Sequence, residues 1–151
     1  MRLVRKVKRS NDSSCGSSSS NDQLLSTVGM KRMSKLTEAM MRSIDYTRKA
    51  NLRIHNFHVL DEALRPTNLF KGDMDYASVP LVYPYYIENG AKLRQYLIDH
   101  QVFCARYWPN VLEWCKPCEW EHELAQNLVC LPIDQRYNEE DMKRIINLIK
   151  I

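Results

Sequence analysis

The chain has 151 residues, 44% hydrophobic and 26% charged, a composition that allows one domain with a proper core and not two comfortable ones. Its net charge of +4 resides in a short arm, where Arg2, Arg5, Lys6, Lys8 and Arg9 precede any acid and no aromatic residue is interleaved to stack on bases. This argues against a nucleic-acid partner. The five cysteines, odd in number and irregular in spacing, argue against a secreted disulfide framework.

The basic start passes directly into serine and asparagine without the apolar stretch of a signal peptide, and no apolar run approaches a membrane span. A cytoplasmic protein without membrane contact is expected. Residues 1–32 read as a basic and Ser-rich segment, with the polar stretch from Ser10 to Asp22 unable to bury enough apolar surface to order itself. From Ser34, a plausible N-cap, the positions Leu36, Met40, Ile44, Thr47, Ala50, Ile54, Phe57, Leu60 and Leu64 step by threes and fours. That spacing predicts one long helix within 33–66, roughly 45 Å in length, ended by Pro66. Residues 67–151 then read as a small α/β domain. Ser78–Ile87, rich in Val and Tyr and broken by prolines, has the character of an edge strand. Gly90–His100 is a helix, Val102–Trp108 alternates like a strand, Glu119–Asn127 is a short helix and Leu128–Ile133 a buried strand. The last unit begins at Asn138 with three acids in its first turn, and Met142, Ile145, Ile146 and Ile149 share one face. The expected fold is α/β (α+β): a long helix feeding a three-stranded sheet packed with helices.

Cys115 and Cys118 form a C-x-x-C pair, with His122 four residues on. A redox pair needs a helix opening directly after a core strand, which the preceding Trp108-Pro109 and loop do not supply. A structural zinc site needs two such pairs, and Cys15, Cys104 and Cys130 do not make a second. An ordinary connecting loop is the preferred reading. His55 and His58 lie three apart on the long helix and read as a polar face. No catalytic residue and no metal ligand is assigned from residue chemistry.

Two segments carry a resemblance. "LPIDQRYNEEDMKRIINLIK" (Leu131 to Lys150) resembles the closing strand, turn and helix of the DegT/StrS-like sugar aminotransferases, pyridoxal-phosphate enzymes of fold type I. "RMSKLTEAMMRSIDYTRKANLRIHNFHVLDEAL" (Arg32 to Leu64) is similar to the helix that joins their large and small domains, and "VPLVYPYYIENGAKLRQYLIDHQVFCARYWP" to their small domain's first strand, helix and second strand. The resemblance implies the C-terminal part of such an enzyme, transferring an amino group to nucleotide-linked keto-sugars in polysaccharide biosynthesis. It implies pyridoxal phosphate in the intact protein, held on a lysine of the large domain upstream of the long helix. It also implies that this stretch alone binds none and does not catalyse. Arg32, Met33 and Ser34 match a family segment that reaches a neighbouring subunit's cofactor phosphate, with Met30 where the family has Asn. Arg32 is therefore the cofactor-binding candidate. The implied partner is a large catalytic domain or a homodimer mate, met through the long helix. The alternative is a non-catalytic interaction module pairing through that helix.

Overall fold

Two small polar residues decide how the first half of the chain is built. In the computed structural model, which describes residues 23, 27–29, 31–72, 75 and 78–150, the single helix expected over 34–64 is two helices, α1 (Lys35–Arg42) and α2 (Tyr46–Leu64). Ser34 caps α1, its Oγ accepting from the Thr37 amide at 3.1 Å. The helix then stops because the Ser43 hydroxyl donates back to the Met40 carbonyl at 2.7 Å. The Asp45 carboxylate accepts from the Arg48 amide at 2.9 Å and starts α2 afresh. Side chains that bond the nearby backbone offer it an alternative to continuing the helix, which an apolar periodicity cannot register. The break coincides with the boundary between two units, Met1–Ile44 and Asp45–Ile151. The basic arm, the Ser-rich stretch, Cys15 and Met30 lie outside the described residues.

In the second unit, α2 is followed by β1 (Val82–Tyr86), α3 (Gly90–Asp99), α4 (Val111–Trp114), α5 (Trp120–Asn127), β2 (Leu128–Pro132) and α6 (Glu139–Ile149). The two strands pair antiparallel, with Tyr83 opposite Leu131 and Tyr85 opposite Val129. These four residues share one face, because successive side chains of a strand alternate. They form the core with Leu60 and Leu64 of α2, Leu97 of α3, and Met142 and Ile145 of α6. Tyr86 and Cys130 alternate to the other face, where the Tyr86 ring meets Trp120 edge-on at 5.6 Å.

The expected three-stranded sheet is thus two-stranded among the described residues. Val102–Trp108 contributes only one bridge, Ala105 to Cys130. Its ends are bent by positive φ at Gln101 (65°) and Trp108 (51°), and the Cys104 carbonyl is taken by Arg94 Nε at 3.0 Å. No length of straight chain remains to extend a ladder. The prediction of an edge strand around Pro84 agrees with the paired span, and the geometry explains why a proline is tolerated. Tyr86 directs its amide and carbonyl away from β2, to Asn68 Oδ1 at 3.0 Å and the Leu69 amide at 2.9 Å. Pro84, two residues back, faces the same way, so its missing N–H removes no ladder bond. Asn68 closes this edge, donating to the Pro84 carbonyl at 2.9 Å.

Two further contacts fix the second unit. A Cβ built on Gly90 would lie 1.8 Å from the Asn127 carbonyl oxygen, so only glycine lets the start of α3 approach the end of α5. At α6, Asn138 accepts from the Asp141 amide at 3.0 Å while Asp141 accepts from the Asn138 amide at 2.9 Å. This reciprocal cap satisfies two donors at the helix end.

Candidate functional site

The closing turn is bound to α2 by two polar side chains one helical turn apart. Asn56 is buried, and its Nδ2 reaches the carbonyls of Ile133 (3.4 Å), Asp134 (3.4 Å) and Tyr137 (3.2 Å). Arg53 donates from Nε to Gln135 Oε1 at 3.0 Å and from its terminal nitrogen to the Leu81 carbonyl at 3.3 Å. Its other nitrogen lies 3.9 Å from Asp134 Oδ2. The fixed fork of a guanidinium suits it to such divergent acceptors. Asp134 itself is held below the usual carboxylate range, chiefly by hydrogen bonds from Arg136, with Arg53 adding to the effect. This seam joins the segments at Arg53–Asn56 and Asp134–Tyr137.

At the far end of α2 lies a cavity of about 350 Å³, lined by Asp61, Arg65, Asn68, Lys71 and Tyr83 together with the rings of Phe57 and Phe70. The Tyr83 hydroxyl donates to Asp61 at 3.2 Å and accepts from Asn68 Nδ2 at 3.3 Å. Burial, opposed by the Asn68 bond and reinforced by Asp61, pushes the Tyr83 phenol up to about 12. Asp61 also pairs with Arg65 at 3.1 Å. Pyridoxal phosphate needs an amine free to form a Schiff base, an acid for the pyridine nitrogen and donors around the phosphate. Here the Lys71 amine donates to the Asn68 carbonyl at 2.7 Å, Asp61 is committed twice, and no helix N-terminus lines the cavity. These residues do not fit the cofactor. No family model, characterised protein or solved structure matches the chain. What the cavity and the seam do follows from their own chemistry.

The candidates from sequence fall elsewhere. Arg32 is exposed in the lead-in to α1. Cys115 ends α4 and Cys118 lies in the turn before α5, in the connection where a loop was expected. Burial and the nearby carboxylates of Glu119 and Glu121 push the Cys115 thiol up, the reverse of what activates a redox thiolate. No cluster of three potential ligands occurs among the described residues. His55 lies 3.7 Å from Glu139 of α6, while His58 stands edge-on to Phe57. Sequence reasoning missed the cavity altogether. Asp61, Asn68 and Lys71 belong to no motif or periodic pattern that would mark them.

Proposed function

We propose that the Asp45–Ile151 unit serves as the small domain of a sugar-aminotransferase-like protein, packing against a catalytic large domain and not catalysing amino transfer alone. The observation that supports this reading is the seam. Arg53 and Asn56, three apart on the helix, engage the closing turn at Asp134, Gln135 and Tyr137, so the two stretches that most resemble the family meet through side chains within the resembling motifs. In the intact protein the large domain supplies the lysine, and Arg32 reaches the cofactor phosphate of a neighbouring subunit. On this reading the protein acts in the cytoplasm.

The test is borohydride reduction of the purified chain mixed with pyridoxal phosphate, followed by peptide mapping. Sub-stoichiometric labelling spread over many lysines is expected. One lysine labelled at full occupancy would overturn the reading.

A second reading, an interaction module, is favoured by one feature of the first unit. Helix α1 has no buried residue, and Leu36 and Met40 are 72% and 62% exposed on one side of it. Such a face is covered by a second copy of the chain in this reading.

A further inference from the structure

All three tryptophans of the chain stand out from the surface in one short span: Trp108, Trp114 and Trp120 are 68%, 74% and 58% exposed. Tryptophan is on average a highly buried residue, so its use here calls for a reason. Trp108 adds a second oddity. Its φ of 51° lies in the left-handed region, which is an outlier for a bulky side chain. The conformation is held by a 3.0 Å bond from the Val111 amide to the Trp108 carbonyl. Glycine or asparagine would adopt it with less strain, so the backbone does not explain the indole. Strain of this kind gathers where a side chain is presented to a ligand.

Beside Trp108 is a cavity of about 160 Å³. Its apolar lining comes from Val111, Leu124, Ala125 and Leu128, with Cys130 of β2 also contributing. A dry cavity of about 150 Å³ accepts a benzene-sized group. Tyr107 and Trp108 form two aromatic walls, their rings 5.9 Å apart and inclined at 51°. The carboxylate of the remaining lining residue, Glu121, makes no side-chain hydrogen bond or ion pair with any described residue, though it lies near enough to Cys115 to raise its thiol. Between residues 105 and 125 the charge is otherwise Glu113, Glu119 and Glu123 against Arg106 and Lys116, and Arg94 of α3 acts on the Cys130 thiol. Two electron-rich aromatic rings, a carboxylate without an ion-pair partner and a benzene-sized apolar space are suited to holding an organic cation.

We infer that this cavity binds a small apolar cation, an ammonium group carrying a benzene-sized hydrophobic substituent, with the ring in the cavity and the charge between Trp108 and Glu121. The test is an NMR titration of the full chain with benzyltrimethylammonium, in parallel with benzyl alcohol as a neutral aromatic of similar size. The cation shifts resonances of Val111, Leu124 and Leu128 and binds at least about tenfold more tightly than the alcohol. Glu121→Gln and Trp108→Ala each weaken it by about tenfold; Glu121 is exposed, so the Gln variant keeps the fold. Equal affinity for cation and alcohol, an unchanged affinity in Glu121→Gln, or no shifts in the folded wild-type chain overturns the inference.

Discussion

Asn56 is surrounded by three carbonyl oxygens, so its amide nitrogen, and not merely its size, is what the position uses. Asn56→Ala leaves those acceptors without their donor in a buried setting and is expected to lose about 1–3 kcal/mol in urea unfolding. Asn56→Asp, nearly isosteric, sets a carboxylate against the same carbonyls and should be worse than Ala at pH 7. A milder effect for Asp than for Ala would mean the contacts are not hydrogen bonds. Tyr83 gives a prediction in alkali. Its proton is held to about 12 in the fold, against 10.0 ordinarily, so the folded state binds more protons than the unfolded one between those values. Its contribution is complete below pH 10 and is lost as pH rises toward 12. Tyr83→Phe, with no proton to lose, should show a shallower fall in stability over that interval. Parallel curves for the two proteins would exclude Tyr83 as the source. The sequence marked Tyr83 only as part of a Val/Tyr-rich strand. Its polar partners Asp61 and Asn68 come from positions 22 and 15 residues away, a proximity that no local pattern encodes.

Among the elements, the start of α6 and the edge position of β1 were legible, while the side-chain-written break between α1 and α2 was not. Asn138 marked the start of α6, though its first-turn acids were read for their charge and not for the return bond to Asp141, and Pro84 marked the edge character of β1. The third strand was misread because alternation in Val102–Trp108 reports burial of Val102 and Cys104 without reporting the kinks at both ends. Gly90 was unremarkable in sequence, yet it is the one glycine of the second unit where backbone meets backbone. Gly90→Ala is expected to destabilise by about 1–3 kcal/mol or more, with α3 and α5 forced apart. A thermal melt unchanged from wild type would show that the two helices can separate freely. The C-x-x-C connection makes the opposite prediction. Replacing Cys115 and Cys118 together with Ser should change stability by no more than about 0.5 kcal/mol. A large melting shift, or stoichiometric zinc by elemental analysis, would restore a role for the pair.

At the scale of the whole molecule, the apolar stripe beginning at Leu36 was visible in sequence, while its interruption at Ser43 to Asp45 was not, since Ile44 keeps the spacing intact across the break. If α1 is covered by a second copy, Met40→Glu with Ile44→Glu makes the protein more monomeric by light scattering, whereas Glu at Ile145 and Ile146 unfolds it. A wild-type chain already monomeric at high concentration, with its mass unaffected by the Met40/Ile44 change, removes the pairing idea.

The buried thiols give the second unit its own clock. Cys104 belongs to the core on one face of the sheet and Cys130 points to the other. Burial pushes them up to about 12 and about 11 respectively. Near neutral pH both are almost wholly protonated and nearly inert to alkylating reagents, until the chain around them opens. Rates of modification mapped residue by residue then report the opening of each face separately. Equal rates mean that the two faces come apart in one event, and a faster Cys130 means that the aromatic side opens first.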